Sequence, residues 1–184
     1  MTDKTTSDND WNRELIIRPI GYVKSSLKDP SLVADREGLT TGGNHGHLRR
    51  QALDIKKTVS QIVVNPALDG ILDGLADFSH ALILYWPHLA PSESRALIQI
   101  HPMGRKDLNK VGVFASCSPA RPNPILATVV KVIGVNANIL TVQGLEAVDQ
   151  SPVVDIKPYN RHYFQVEDVK LADWMERIEQ EMET

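Results

Sequence analysis

Cysteine is almost absent: Cys117 stands alone among 184 residues. That excludes an intramolecular disulfide and a cysteine-ligated zinc site, and it predicts a reducing cytoplasm. Aromatic residues make up only 5% of the chain. No apolar run approaches the roughly 20 residues that span a bilayer; the longest, Ala81 to Trp86, has a strand's length, so no membrane is expected. The opening MTDKTTSDNDWN has no apolar core, so no secretory signal is expected. Charge of one sign is also missing. Twenty Lys and Arg face 23 Asp and Glu, for a net charge of −3. That excludes a strongly basic nucleic-acid glove but leaves room for local basic segments. Neither G-x-G-x-x-G nor a Walker A sequence occurs, so the usual phosphate cradles are missing. Ser94, Ser116 and Ser118 lack a nucleophile-elbow context.

What remains is ordinary for a folded domain: 42% hydrophobic and 23% charged residues, enough to bury a core without disulfides. Residues 1–13 read as a disordered tail. Leu15 to Lys24 is β-prone, with Pro19 confining it to an edge or a bulge. Ser25 to Lys57, rich in glycine and without clear periodicity, reads as a long irregular segment. Short strands are expected at Gln61 to Val64, His80 to Trp86, Ala96 to His101, Gly112 to Ser116, Ile125 to Val135, Ile139 to Leu145 and Val153 to Lys157. Asn136-Ala137-Asn138 is a hairpin signal. Leu68 to Asp77 reads as one helical turn or a loop. From Val166 onward, Val169, Leu171, Trp174, Met175, Ile178 and Met182 keep near-helical spacing. No helices of 10–15 residues separate the strands, so a mainly β fold closed into a small barrel is expected. The divisions are a tail over 1–13, a barrel domain over 14–165 and an amphipathic helix over 166–184.

Chemistry-bearing residues concentrate in a few places. His45 and His47 form H-G-H, a possible metal pair, but they read better as a solvated polar loop, and no metal is expected. The segment Cys117 to Pro124 holds three prolines, which fix a loop before any ligand arrives. Asn123, between two of them, offers a donor and an acceptor on a stiff backbone. Asp149, Asp155, Lys157 and Tyr159 form a second cluster, with Asp155 and Lys157 on one strand face and Ile156 on the other. Arg49, Arg50, Lys56 and Lys57 make one basic segment; Arg105, Lys106 and Lys110 make another. Either could track phosphates or be solvated surface.

Three stretches carry a more specific signal: LDGLADFSHALILYW (72–86), HPMG (101–104) followed by GVFASCSPARPNPI (112–125), and GLEAVDQSPVVDIKPY (144–159). With the opening RPIGYVKSS, they resemble the TsaA/TrmO-like (YaeB-like) family over residues 18–160. The resemblance implies a single-sheet β-barrel of about seven strands and a homodimer with its cofactor near the subunit interface. It further implies transfer of a methyl group from S-adenosylmethionine to N6 of threonylcarbamoyladenosine, next to the anticodon of threonine tRNA. Carried over residue by residue, it places Pro87, His88, Arg36, Glu37, Gly38, Ala127, Gln143, Gly144, Leu145 and Glu146 at the cofactor. Cys117 stands where the family usually has a cofactor-contacting arginine, and Leu126 replaces a family glycine. Arg121, Lys157 and Tyr159 are expected to meet substrate. Asn123, by analogy with the Asn-Pro element of other adenine-N6 methyltransferases, and Asp155 are the catalytic candidates. Two other readings stay open: a methyltransferase of this fold acting on another small acceptor, and a non-catalytic S-adenosylmethionine-binding protein.

Overall fold

Period-two alternation of buried and exposed side chains builds the sheet. In the strand Val59–Val64 the inward residues are Ser60, Ile62 and Val64; in His80–Tyr85 they are Ala81, Ile83 and Tyr85. The computed structural model describes residues 14–30, 32–34, 38–41 and 45–183; the predicted tail over 1–13 lies outside them. In chain order the elements are β1 (Gly21–Lys24), β2 (Leu32–Ala34), β3 (Leu39–Thr41), α1 (His45–Lys57), β4 (Val59–Val64), β5 (His80–Tyr85), β6 (Gln99–Ile100), β7 (Val111–Gly112), β8 (Leu126–Asn136), β9 (Ile139–Gln143), β10 (Pro152–Pro158), α2 (Arg161–Phe164) and α3 (Asp173–Glu183).

Six strands close into an antiparallel barrel in the order β1-β10-β5-β8-β9-β4, with β1 pairing back onto β4. The expected closed barrel is therefore present, with six strands rather than about seven, because β2–β3 and β6–β7 pair apart from it. The remaining short strands form two separate hairpins, β2–β3 and β6–β7. Inside the barrel Val23, Ile62, Ile83, Leu140, Val142, Leu145 and Val153 are fully buried. Closure leaves no free edge in the main sheet.

The seam runs through Gly21. It pairs with Val64 of β4 on one side and Val153 of β10 on the other. A methyl group there would collide with the Val63 carbonyl oxygen and lie 2.9 Å from Val64 Cα, so only glycine fits. The β8–β9 hairpin turns through Ala137, at φ 49°, and Asn138. Asn138 also donates through Nδ2 to the Val64 carbonyl at 2.7 Å, tying this hairpin to the end of β4.

Several elements differ from the sequence reading. The irregular segment expected over 25–57 contains the hairpin β2–β3 and the 13-residue helix α1. β1 begins only at Gly21, after Pro19. The strand expected at Gly112 to Ser116 is instead a 3-10 turn over Val113–Ala115, and that at Ala96 to His101 shrinks to Gln99–Ile100. The C-terminal helix starts at Asp173, not Val166; Asp168 has φ 54°, a left-handed conformation that no helix continues through.

α3 is fastened by charge. Arg105 pairs with Asp107 at 2.6 Å and with Glu181 of α3, while Arg177 of α3 reaches Asp107 at 3.3 Å and Glu181 at 3.0 Å. Arg105 holds the Asp107 carboxyl down at about 2. A carboxyl lowered on folding stabilises above its ordinary value and loses that contribution progressively as pH falls from there through about 2. No helix among the described residues is long and apolar enough to cross a membrane.

Gly21→Ala is expected to cost about 1–3 kcal/mol of unfolding free energy, the usual range for forcing a methyl into packed structure. Urea unfolding measures it; an unchanged midpoint would show that the seam yields freely.

Candidate functional site

A cavity of about 280 Å³ opens where β5 ends and β8 begins. Tyr85, the last inward residue of β5, lies on one wall. Leu126, Ala127 and Thr128 of β8 supply the next, brought alongside by the pairing of Tyr85 with Leu126 and Leu84 with Ala127. Glu146 and Val148 come from the β9–β10 connection, and Ser151 from just before β10. Pro30 and Val33 close one side; Pro87 and Leu89 close another.

The proline-rich loop completes the rim through Cys117, Pro119, Arg121 and Ile125. Its shape depends on Arg121. The guanidinium donates from Nε to the Ser118 carbonyl at 2.8 Å and from Nη2 to the Val113 carbonyl at 3.3 Å and to the Ser116 carbonyl. Ser118 Oγ accepts from the Ala120 N–H at 3.0 Å. The loop therefore has a cation at its centre, beside an exposed Cys117 thiol.

The polar groups of the wall interact. Burial pushes the Tyr85 hydroxyl up to about 12, against a hydrogen bond with Thr128 that lowers it, and the nearby Glu146 charge adds to the rise. The Glu146 carboxyl is also held above its ordinary value, by desolvation. Glu146 is nonetheless accessible to solvent. It lines the cavity, where neighbouring protein displaces part of its water. His88 Nδ1 lies 3.4 Å from Ser151 Oγ, at the same rim. Next to Pro87, Arg95 stacks over the Trp86 ring at 5.0 Å.

The sequence-predicted residues divide. Pro87, Cys117, Arg121, Ala127 and Glu146 line the cavity, and His88 touches its wall. Asn123 is exposed on the loop between Arg121 and Ile125, where its carbonyl accepts from the Ile125 N–H at 2.8 Å. Gly38 is buried outside the cavity lining, and Arg36 and Glu37 lie outside the described residues. Leu145 is in the barrel core, and Gln143 and Gly144 bond back to the end of α1 and the residue after it, at the Lys57 and Thr58 carbonyls. Of that segment only Glu146 reaches the wall.

Asp155 and Lys157 pair opposite Leu84 and Leu82 on the outer face of the barrel and form an ion pair at 2.6 Å. Asp155 borders a different hollow of about 390 Å³, with Phe78 and Leu75. Tyr159 lies past the other end of β5, its N–H donating to the His80 carbonyl and its ring stacked on Phe164. The structure does not bring these three to the cavity. In the second basic segment, Arg105 is committed to Asp107 and Glu181. His45 and His47 belong to α1 rather than to a loop. Among the described residues no group of three or more metal-ligating side chains is gathered. Tyr85, Thr128 and Ser151 were missed; the one available signal is that each polar group ends or interrupts an apolar strand run.

The family of tRNA-methyltransferase O N-terminal domains matches residues 44–164. The chain belongs to that family. A Methanothermobacter thermautotrophicus protein named "Probable S-adenosyl-L-methionine-binding protein" is 36% identical over 146 residues, covering 79% of this chain and 90% of its own length. The mouse tRNA (adenine(37)-N6)-methyltransferase is 31% identical over 156 residues, covering 81% of this chain and 32% of the mouse protein. The crystal structure of TrmO from Pseudomonas aeruginosa superposes with a TM-score of 0.62 at 26% identity, over 88% of this chain and 63% of that one. The chain thus spans less than two thirds of that structure's length. The resemblance read from the FSH, RPNP and DIKPY stretches places the chain in the same family.

A Glu146→Gln test follows from the raised carboxyl. A carboxyl raised on folding contributes stability below its unfolded pKa and loses it as pH rises through the folded value. Glu146→Gln is therefore expected to match the parent protein at pH 4 and to exceed it in urea resistance at pH 8. An equal difference at both pH values would contradict the burial of this carboxyl.

Proposed function

We propose that the protein is an S-adenosylmethionine-dependent methyltransferase that modifies N6 of the threonylcarbamoyladenosine beside the anticodon of tRNA. The observation that carries this reading is the cavity at the β5–β8 end, whose lining includes Pro87, Ala127 and Glu146, which the family resemblance implies at the cofactor, and Cys117, at the position of the family's usual arginine. Its chemistry suits the cofactor. Leu126, Val148 and Ile125 offer apolar walls for a flat base, Thr128 and Ser151 offer hydroxyls for a ribose, and Glu146 beside the Tyr85 ring suits a cation.

When bound, S-adenosylmethionine supplies a methyl group on a positively charged sulfur. The residues of the chain do the rest. A carboxylate destabilised by desolvation, as at Glu146, gains most from a neighbouring cation. The loop held by Arg121 keeps the rim stiff, so less freedom is lost on binding. Asn123, exposed on that loop, is our candidate to accept the single N6–H of the acceptor through Oδ1; the N–C bond forms as the S–C bond breaks, and the N6 proton leaves to solvent. Positioning of this kind supplies much of the acceleration in a displacement between two bound partners. The basic end of α1, at Lys56 and Lys57, is the candidate phosphate contact. The reading includes a homodimer in the cytoplasm, with residues 14–165 as the catalytic unit and the C-terminal helix docked on it.

One observation favours a second reading. Cys117, exposed at the rim, holds the position where the family usually has an arginine. Arg121 brings a guanidinium beside it, but that group is engaged by loop carbonyls, and Lys157 is paired elsewhere. A smaller acceptor than tRNA is compatible with that loss of charge.

S-adenosylmethionine at one hundred times its Kd is expected to add about 2.7 kcal/mol of stability and to raise Tm accordingly. Incubation with threonylcarbamoyl-modified tRNA and the cofactor is expected to add one methyl to that nucleoside, seen by mass spectrometry of the digest. No thermal shift and no binding heat at millimolar cofactor would overturn the reading; binding without tRNA methylation would favour the smaller acceptor.

A further inference from the structure

One side of the cavity is formed by Pro30 and Val33, which follow β1 and belong to no strand of the barrel. The chain between β1 and Pro30 is tied across the seam to one carboxylate and to the backbone beside it. Asp149 Oδ1 accepts the Ser25 N–H at 2.9 Å, and Oδ2 accepts Lys28 Nζ at 2.7 Å. The Asp149 N–H donates to the Leu27 carbonyl at 2.7 Å, and the Gln150 N–H donates to the Val23 carbonyl at 2.7 Å. Ser25 Oγ in turn accepts from Ser60 Oγ at 3.1 Å and from the Leu27 N–H at 3.2 Å, so the far side of the clasp is anchored to β4.

The clasp sits next to the cavity on both strands of chain. Val148 and Ser151, one and two residues from Asp149, are wall residues; Pro30 is two residues from Lys28. Gln150, with φ 64°, forces the sharp turn that presents Ser151 to the wall and to His88. Ser25 and Ser60 are buried, so without the carboxylate the Ser25 N–H would lose its acceptor away from bulk water. Lys28, and the Ser25 N–H after it, hold the Asp149 carboxyl below its ordinary value, so the clasp keeps its charge at neutral pH.

We propose that Asp149 is a positioning residue, which sets the segment from Ser25 to Pro30 against the Val148–Ser151 turn and so fixes the width of the cofactor cavity at Pro30. It touches no ligand itself and acts through the two chain segments it joins. The role in ligand binding rests on the methyltransferase reading above; the role in holding the wall does not.

The experiment separates the two. Hydrogen exchange on the free protein is expected to show the Ser25 and Leu27 amides exchanging at least about tenfold faster in Asp149→Ala, with the β5 and β8 amides unchanged, as for a local opening. S-adenosylmethionine is expected to bind that variant about tenfold more weakly, because the loosened segment must be ordered on binding, while the methylation rate at saturating cofactor recovers. Asp149→Asn keeps an acceptor for the Ser25 N–H and is expected to restore most of the affinity; it also covers the case in which Asp149→Ala fails to fold. Unchanged exchange at Ser25 and Leu27, or exchange faster throughout the barrel, would overturn the local clasp. Faster local exchange with unchanged cofactor affinity would overturn its role in the cavity. A parent protein that binds no cofactor would defeat the methyltransferase reading and leave the exchange result to decide the clasp.

Discussion

Strand β1 is four residues long and must satisfy two partners, and the rest of the structure depends on that. It joins β4, the next barrel strand in sequence, to β10, the last strand of the barrel. Bringing chain ends this far apart together costs loop entropy, which only burial on both sides of the join offsets. The join leaves no space for a side chain at Gly21, and it carries Val23 into the fully buried core. Its hydrogen bonds continue past the strand: the Ile20 N–H reaches the Val153 carbonyl, and the Val23 N–H reaches the Ser151 carbonyl. The seam therefore ends at the turn that walls the cavity. Closure and site formation are one event.

That coupling explains the character of the site. The interior of this barrel is filled by inward apolar side chains, so the cavity lies at the strand ends. Tyr85 is the last inward residue of β5, and Ser151 directly precedes β10. Each brings a polar group to the edge of an apolar interior, where desolvation acts on Tyr85 and Glu146. The loops that complete the rim are held by specific hydrogen bonds and, in the proline loop, by packing of Ala120 with Ile100 and Val113. Arg121 gathers the carbonyls of the proline loop, and Asp149 gathers the segment after β1. A site built on a closed barrel but finished by two clasped loops has a rigid floor and a tunable rim.

The sequence was legible where side chains are sorted by burial. β4, β5, β8, β9 and β10 all lie within a few residues of the apolar runs that announce them, because alternation against a core leaves its pattern in the chain. It was illegible where structure comes from local backbone bonding. α1 lies among glycines, and its apolar spacing, Leu48, Ala52 and Ile55, is helical but sparse. The proline loop was correctly read as irregular, yet nothing in its composition said that Arg121 would turn inward to the Ser116 and Ser118 carbonyls instead of toward a substrate. Asp155 and Lys157 were correctly placed on one face of a strand, but period two does not say whether that face looks into a cavity. Register with Leu84 and Leu82 decides it, and register is a property of the assembled sheet.

The central claim is that the cavity between Tyr85, Ala127 and Glu146 holds S-adenosylmethionine. Nuclear Overhauser contacts between the cofactor's protons and assigned side-chain methyl groups test it most directly. The account predicts contacts to the methyl groups of Ala127, Thr128 and Val148. Contacts instead to Ile71, Leu75 and Ile156, around the separate hollow beside Asp155, would contradict it.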